Sequence, residues 1–242
     1  MRRALVVCCI AAFALSFAVP LASADTLSAS WFSMPTNGPD VAISENGSAF
    51  TGTLGPNGFP VLSAAGQLVL HDFNSVTGEL QWWNPAGGYV TVLNNPVYGS
   101  TITLPYTNNN MYTNTTILGA NGDDSSAFLT AMFKGTFTTA TAGTVTFTVC
   151  SDDDELVYLD GNLVVNNPGI HPTSCVAPSL SNISAGTHEL DVFYADRQHV
   201  GATFSLTADL NLQPVAPVPE PATLTLFGAG LLGMARKLRK RA

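Results

Sequence analysis

Basic residues are almost missing from the central part of the chain. Of the nine Lys and Arg, two lie at positions 2 and 3 and five in the last seven residues, which leaves only Lys134 and Arg197. The span 25–212 also holds 16 of the 17 Asp and Glu, so its net charge is −14. Because phosphate binding depends on Lys and Arg, this balance excludes nucleic acid as a partner. It favours a soluble protein and divalent cations as ligands.

The N-terminus has the three parts of a secretory signal peptide, which we assign to residues 1–24. Arg2 and Arg3 precede an apolar core at 4–19, and small residues at 22–24 form a cleavage site. The core is shorter than the ~20 residues that span a bilayer. We therefore expect an exported protein whose mature chain begins near Asp25.

The C-terminus has a linker followed by an apolar and then a basic segment. Residues 213–221 contain four prolines and are typical of an extended linker. Residues 222–242 combine a 14-residue apolar run with a basic end, which predicts a short transmembrane helix whose flanking cations reach the interface. Positive charge after the run places that terminus in the cytoplasm. An amphipathic surface helix is the weaker alternative, because the run has no polar face.

The tail VPEPATLTLFGAGLLGMARKLRKRA resembles the PEP-CTERM sorting signal. Pro219, Glu220 and Pro221 form the motif, and the short apolar run and the basic end follow in the family's order. The resemblance implies recognition by an exosortase, a transpeptidase-like membrane protease of Gram-negative bacteria that make exopolysaccharide. It also implies a transient stay in the inner membrane before the protein reaches the cell surface or the extracellular matrix.

Residues 25–212 lack helical periodicity and are rich in Gly, Asn, Thr and Ser, which predicts an all-β fold. In the region 128–212, apolar and polar residues alternate as they do in half-buried antiparallel strands. The alternating stretches lie at 128–139, 144–150, 188–195 and 202–210. Several strands at this spacing predict an antiparallel β-sandwich.

Residues 25–127 form either the N-terminal part of this sandwich or an extension of it. Strands are predicted between Gly, Pro and Asn turns at 67–73, 79–83, 89–93 and 100–104. Trp82 and Trp83 offer aromatic faces on which a sugar ring could stack. Adjacent side chains of a strand face opposite ways, however, so packing in the core is favoured for this pair.

Cysteine is scarce, and no catalytic motif is present. Cys150 and Cys175 are the only cysteines after the signal peptide, so in an exported protein they predict a disulfide. It would close a loop of about 25 residues and stabilise the fold by roughly 3 kcal/mol. The four His have no metal-ligand spacing such as H-E-x-x-H, and no G-x-S-x-G motif occurs. Carboxylates are frequent enough for a glycosidase, but none stands out as acid or nucleophile.

Four acids in a row follow Cys150, namely Asp152, Asp153, Asp154 and Glu155. Neighbouring carboxylates repel one another by roughly 1 kcal/mol per close exposed pair, so a bound cation would stabilise this loop between two apolar strands. Elsewhere in the domain, the lone Arg197 among many acids predicts a structural ion pair, with the adjacent Asp196 as its candidate partner.

Residues 128–210 resemble the fibro-slime domain, a relative of the protective-antigen-type β-sandwich. The resemblance depends on the segments SDDDELVYLDGNLVVNNPGIH and GTHELDVFYADRQHVGATFSL. It implies a jelly-roll-like sandwich of the kind found in adhesins, toxins and glycosidases. This sequence departs from the family pattern in two places, because Asp196 replaces the usual Glu and the two cysteines are additions.

In sugar-binding relatives, an adjacent Asp pair in this loop, in some cases joined by a cis peptide, coordinates a calcium ion that bridges to sugar hydroxyls. The resemblance therefore implies Asp152, Asp153 and Asp154 as calcium ligands, since calcium takes six to eight oxygens. Asn166 and Asn167, beyond the next strand, are candidate ligand contacts. In the alternative, the acids accept hydrogen bonds from backbone amides at the start of the strand.

These observations together predict an exported, non-enzymatic protein of the cell surface or the exopolysaccharide matrix. We expect calcium-dependent binding of an extracellular polysaccharide or glycan, centred on Asp152 and Asp153. One alternative is a purely structural matrix protein whose acidic loop binds nothing. Another is a carbohydrate-active enzyme that uses carboxylates not yet identified.

Overall fold

A computed structural model describes residues 25–94, 97–117 and 122–209. These three ranges form fourteen β-strands and three short 3-10 turns without an α-helix, and their strand pairs are antiparallel, which confirms the all-β prediction. A search of the same ranges finds no helix with the length and apolarity needed to cross a membrane. The predicted signal peptide, linker and transmembrane helix lie outside the described residues.

The strands run in chain order as β1 (Thr26–Pro35), β2 (Phe50–Leu54), β3 (Pro60–Leu62), β4 (Thr91–Val92), β5 (Thr101–Thr103), β6 (Tyr106–Asn108), β7 (Ala127–Thr139), β8 (Gly143–Asp152), β9 (Asp154–Leu159), β10 (Asn162–Asn167), β11 (Ser174–Val176), β12 (Ser179–Ile183), β13 (Gly186–Ala195) and β14 (Thr203–Asp209). The 3-10 turns are Gly47–Ala49, Gly66–Leu68 and Pro85–Gly87.

The strands form two sheets. The larger one, here called the central sheet, has the order β3-β2-β10-β9-β13-β7-β1-β4, and β5 pairs with the other end of β1. The smaller one, the outer sheet, has the order β11-β8-β14-β6, and β12 pairs with β8. Because β8 and β9 are consecutive in the chain but belong to different sheets, the acidic stretch lies where the chain crosses between them.

The first core lies between the two sheets. Side chains of a strand alternate between its faces, so Val157, Val192 and Tyr194 of the central sheet point into this core. Val149 and Phe204 meet them from the outer sheet. This is the β-sandwich that the alternating sequence predicts.

A second core covers the opposite face of the central sheet. Leu156, Tyr158 and Phe193 alternate with the first-core residues and pack against residues 36–94, which we call the covering segment. This segment contributes Ala49, Phe50, Leu62, Leu70, Leu80, Trp82, Trp83 and Val90. Since both faces of the central sheet are covered, all six residues of β9 are buried, including its two acids.

Most strands predicted from alternation are confirmed, but three features of the first half differ. The predicted strand at 67–73 is wrong, because it begins in the 3-10 turn Gly66–Leu68, and that at 79–83 forms only isolated bridges. Leu70, Leu80 and the two tryptophans of these stretches cover the second core without belonging to a strand. The strand β1, which pairs with β7 over eight residues, was not predicted, because its serines dilute the apolar alternation.

Candidate functional site

The four consecutive acids lie at the junction of β8 and β9. Asp152 is the last residue of β8, Asp154 and Glu155 are the first two of β9, and the Asp152–Asp153 peptide bond is cis. All four side chains are buried. The prediction that they form a loop between two strands is therefore wrong for three of them, because they belong to the strands themselves. Alternation along β9 then sends Asp154 and Glu155 to opposite faces of the sheet.

Asp154 faces the second core and pairs with Arg197, which is fully buried. Arg197 Nε donates to Asp154 Oδ2 over 2.7 Å and Nη2 donates to Asp154 Oδ1 over 3.0 Å. Nη2 also reaches both oxygens of Glu45, at 2.9 and 2.8 Å. We call Arg197, Asp154 and Glu45 the arginine network. The predicted structural role of Arg197 is confirmed, but the predicted partner Asp196 is wrong, since the guanidinium group pairs with Asp154 and hydrogen-bonds Glu45.

The covering segment completes the surroundings of the guanidinium group. Nη1 of Arg197 donates to the carbonyl oxygens of Asp40 and Ile43, at 2.7 and 2.8 Å. The ring of Trp82 lies 4.3 Å from the guanidinium carbon, within the range of a cation–π contact. Each side-chain nitrogen of Arg197 thus donates hydrogen bonds inside the protein.

The charges of the network are unequally shared between its two acids. Burial raises the pKa of Glu45 to about 9, and the charge of Asp154 beside it acts in the same direction. Burial also acts to raise the pKa of Asp154, but the charge and hydrogen bonds of Arg197 outweigh it and hold that pKa below its usual value. At neutral pH the network therefore consists of a cation, one carboxylate and a protonated Glu45.

Backbone amides of the segment 168–173 lie beside successive acids of the stretch. The Gly169 amide donates to Asp154 Oδ1 over 2.7 Å, and the His171 amide donates to Asp153 Oδ1 over 3.2 Å. The Thr173 amide acts on the carboxylate of Asp152 and favours its charged form. We call these three contacts the amide ladder. The alternative role for the acids, accepting bonds from backbone amides, is therefore present at Asp152, Asp153 and Asp154.

Asp153 also belongs to a second group of acids. The carboxyl groups of Asp124 and Asp196 are within hydrogen-bonding reach of each other, and Asp152 and Asp153 lie close enough to repel them. We call Asp124, Asp152, Asp153 and Asp196 the aspartate cluster. All four side chains are buried. Among the described residues, no Lys or Arg forms an ion pair with any of the four.

Burial without a cation raises the pKa values of the cluster. Burial is the main cause at Asp124, whose pKa rises to about 6, and at Asp153, whose pKa rises to about 7 with added repulsion from Asp154 and Asp152. Burial and then repulsion from Asp124 raise the pKa of Asp196 well above its usual value. Asp124 Oδ1 and Asp196 Oδ2 are both buried and receive no hydrogen bond from a donor in the described ranges.

The rim of the aspartate cluster is formed by aromatic and apolar groups. Tyr194 Oη donates to the backbone oxygen of Asp152 over 2.9 Å. The ring of His199 lies 4.9 Å from that of Phe128, and its charge acts on Asp124. Val200, in the same loop as His199, is 74% exposed. The cluster thus adjoins an exposed loop that a ligand can reach.

Gly201 closes the rim with a conformation that other residues rarely adopt. Its φ is +82°, and a Cβ atom at this position would collide with the carboxylate of Asp152. The missing side chain therefore leaves the space that this carboxylate occupies.

The two asparagines predicted as ligand contacts have other partners in the described ranges, and their role as ligand contacts stays a prediction. Asn166 Nδ2 donates to the Gly47 backbone oxygen over 2.7 Å, which ties β10 to the covering segment. Asn167 pairs in register with Glu155. Burial raises the pKa of Glu155 to about 8. Within the described ranges, neither asparagine has a hydrogen bond to the aspartate cluster.

Two other predictions are settled by burial and geometry. Trp82 and Trp83 are 0% and 1% exposed, so packing in the core is confirmed and neither ring is open to a sugar. Cys150 and Cys175 form a disulfide, with an S–S distance of 2.07 Å, between directly paired residues of β8 and β11. The predicted disulfide is therefore confirmed.

Several residues of these groups were missed in the sequence. Asp124 belongs to another pair of adjacent aspartates, Asp123–Asp124, and that repetition was the available signal in the sequence. Glu45 gave no signal, because its contact with Arg197 spans 152 residues. In the described part of the chain, no three His, Cys, Asp or Glu side chains are already placed to hold a metal ion.

Comparison with known protein families yields two matches. The PA14 domain matches residues 87–217, more than half of the 242 residues, and the PEP-CTERM protein-sorting motif matches residues 217–240. The predicted sorting signal and the protective-antigen-type sandwich are thereby confirmed, and the narrower fibro-slime assignment stays a prediction. A search of curated proteins finds no match.

Solved structures match this chain at low identity and low TM-score. The PA14 sugar-binding domain from an RTX adhesin is 13% identical, covering 77% of this chain and 91% of that one, with a TM-score of 0.35. The epithelial adhesin 9 A domain from Candida glabrata, in complex with Galβ1-4GlcNAc, is 12% identical, covering 72% and 87%, with a TM-score of 0.30. A β-glucosidase from Kluyveromyces marxianus, in complex with glucose, is 13% identical at a TM-score of 0.33, and the match covers 50% of this chain and 16% of that enzyme.

Proposed function

Because the chain belongs to the PA14 domain family and carries a PEP-CTERM protein-sorting motif, we propose that it is an exported, calcium-dependent carbohydrate-binding or adhesion module. An exosortase-type membrane protease processes its C-terminus, and the product works at the cell surface or in the exopolysaccharide matrix. Its role is binding, not catalysis.

The observation that carries the calcium proposal is the aspartate cluster. Its four carboxyl groups are buried together, and the buried oxygens Asp124 Oδ1 and Asp196 Oδ2 receive no hydrogen bond in the described ranges. Burying like charges together costs free energy unless protons or a cation neutralise them. Carboxylate oxygens are the ligands that calcium prefers, so the donor set fits this ion.

We assign the proposed cation site to Asp152, Asp153, Asp196 and Asp124. Asp153 still has lone pairs after accepting one amide hydrogen at each oxygen, at 3.2 and 2.9 Å. Asp154 is left out, because its charge is already matched by Arg197. Calcium takes six to eight oxygens, so backbone carbonyls, water and ligand hydroxyls would complete its shell.

A bound calcium ion supplies a positive charge and coordination positions for hydroxyl groups of a glycan. The residues around the cluster supply aromatic and apolar contacts, which an ion cannot provide. Tyr112 and His199 offer aromatic rings beside the acids, and Val200 offers an exposed apolar contact in the same loop. Sugar rings have apolar faces, and aromatic and apolar side chains bind such faces.

Calorimetric titration of the purified protein with calcium tests the cation site. We expect heat of binding and a higher melting temperature in millimolar calcium than in a chelator. Asp196→Asn and Asp153→Ala should weaken binding at least ~10-fold, about 1.4 kcal/mol. Glu189→Gln is the matched control, because Glu189 is an exposed acid outside the cluster. The proposal fails if wild type shows neither heat nor a melting shift.

A glycan array then tests the carbohydrate ligand. Wild-type protein in calcium should bind a subset of glycans, and both chelation and Asp153→Ala should abolish that binding. Glycan binding that survives Asp153→Ala would place the ligand site elsewhere on the chain. An absence of glycan binding despite calcium binding would favour a structural role in the matrix.

A further inference from the structure

We propose that the Cys150–Cys175 disulfide is a redox latch on the amide ladder: reduction by a dithiol releases the segment 168–173 from the acids. The effect of the latch on calcium and glycan binding rests on the proposed function. Its effect on the amide ladder does not, because the ladder is a feature of the protein without ligand.

The disulfide lies close in sequence to the amide ladder on both strands that it joins. Cys150 is two residues before Asp152 in β8, and Cys175 is two residues after Thr173 in β11. The two cysteines are paired directly across the strands, with their Cα atoms 4.0 Å apart. The disulfide therefore fixes the distance between the end of the amide segment and the start of the acidic stretch.

Little else holds the end of this segment in place. β11 has three residues and is the edge strand of the outer sheet, where its described pairing is with β8. Thr173 Oγ1 lies 2.9 Å from Thr203 Oγ1, in an exposed hydrogen bond. In the described ranges, the hydrogen bonds of the His171 ring go to backbone oxygens near it in the chain, at Asn167 and Pro172. A three-residue edge strand is a weak anchor once its covalent link is cut.

The segment matters to the site because its alternate amides serve successive acids. Gly169 donates to Asp154 and His171 donates to Asp153. The Thr173 amide acts on the carboxylate of Asp152. The three amides lie within five residues of one another, so one displacement of the segment removes all three from the acids together. Asp154 keeps its bonds to the Arg197 side chain. Asp153 keeps the Arg197 amide at Oδ2 but loses the His171 amide at Oδ1, and Asp152 loses the Thr173 amide.

Reduction of the disulfide is chemically accessible from the solvent side. Cys175 is exposed and Cys150 is half-buried. A thiolate of the dithiol attacks Sγ of Cys175, the S–S bond breaks, and Cys150 leaves as a thiolate that takes up a proton. The second thiol of the reductant then resolves the mixed disulfide. The protein gains two electrons and two protons, and the dithiol becomes a cyclic disulfide.

Amide hydrogen exchange of the purified protein, before and after dithiothreitol, tests the latch. We expect exchange at Gly169, His171 and Thr173 to become at least ~10-fold faster after reduction, while amides shared by β7 and β13 keep their protection. The variant Cys150→Ser/Cys175→Ser should behave like the reduced protein. Thr203→Val, which removes only the Thr173 side-chain contact, should behave like the oxidised protein.

Two outcomes would overturn the latch. Unchanged exchange at the three amides would mean that the ladder does not depend on the disulfide. Loss of protection throughout the central sheet would mean that the bond stabilises the whole fold, and reduction of folded wild type gives that answer even if the double variant does not fold.

The calcium titration separates this inference from the proposed function. If calcium binds, its affinity should fall at least ~10-fold on reduction. If oxidised protein binds no calcium, the proposed function fails, while the exchange experiment still decides whether the latch exists.

Discussion

The arginine network and the aspartate cluster are two groups of buried acids that meet at neighbouring residues, yet they solve the problem of burial differently. In the network, Asp154 accepts hydrogen bonds from two nitrogens of Arg197, and Glu45 shares the same guanidinium. In the cluster, Asp124 and Asp196 lie beside each other and beside more acids, and Asp196 accepts one hydrogen bond, of 3.3 Å, from the Gln198 amide. One group contains its cation, and the other lacks a Lys or Arg partner within the described ranges.

The difference follows from the alternation of the strand that separates the two groups. Asp154 begins β9 on the face that meets the covering segment, where the only buried Arg of the described chain lies. Asp152 and Asp153 precede that strand at the open end of the sandwich. Adjacent acids in a sequence therefore do not share a role, and their count says little about a site. What distinguishes them is whether a positive side chain reaches the same pocket.

The largest expected effect comes from removing the built-in cation. Arg197→Met leaves the buried carboxylate of Asp154 without a counter-ion, which costs about 3–5 kcal/mol. We expect a large loss of thermal stability, measured by circular dichroism, or failure to fold. Arg197→Lys keeps the charge but loses the two-pronged hydrogen bonding, so it should be intermediate.

Glu45→Gln is the matched control for the network. Because burial raises the pKa of Glu45 to about 9, this residue is protonated at neutral pH, and Gln resembles it in size and charge. We expect a change below ~1 kcal/mol. A loss as large as that of Arg197→Met would show that Glu45 carries a charge in the folded protein.

The second effect concerns pH, and the aspartate cluster contributes part of it. The folded pKa values of Asp124 and Asp153 are raised to about 6 and about 7, so the folded protein binds more protons than the unfolded chain above pH ~4. Stability contributed by these protons is present at low pH and is lost as pH rises through 6 to 7. In chelator, the melting temperature should fall between pH 5 and 8 by several degrees, on the order of 2 kcal/mol.

Calcium binding should restore the part of the melting temperature that the cluster loses as the pH rises. Asp196→Asn removes one ionisable carboxyl group, so the same loss should be smaller in this variant in chelator. Glu155 also has a raised pKa, about 8, but it faces the first core and should respond to neither change. A melting temperature that rises with pH in chelator would contradict the charge arrangement described here.

The smallest effect tests the space beside Asp152. Gly201→Ala places a methyl group against the Asp152 carboxylate, so we expect calcium affinity to fall ~10-fold, about 1.4 kcal/mol. Gly161→Ala is the matched control, because Gly161 has a similar φ of +73° with open space around its Cβ position. Both substitutions strain the backbone, but only the first touches the site. Equal calcium affinities in the two variants would remove Asp152 from the proposed ligands.

The sequence predicted the sandwich and the disulfide because those depend on local patterns. Alternation of apolar residues identified β7, β8, β13 and β14, and two cysteines in an exported chain left one pairing. The partner of Arg197 was not predictable in the same way. Glu45 is 152 residues distant, and its approach depends on how residues 36–94 fold over the sheet. Burial of the acids was hidden for the same reason, since polar residues at a strand start usually face water.

The family boundary and the folding unit of this protein do not coincide. The PA14 match begins at residue 87, but β1 lies beside β7 in the interior of the central sheet and Glu45 reaches the arginine network. A fragment that starts at the family boundary would lose an internal strand, half of the second core and a partner of Arg197. Any experiment that transplants or shortens this domain therefore has to begin near residue 25, because residues 25–86, which the family match omits, are part of the unit that folds.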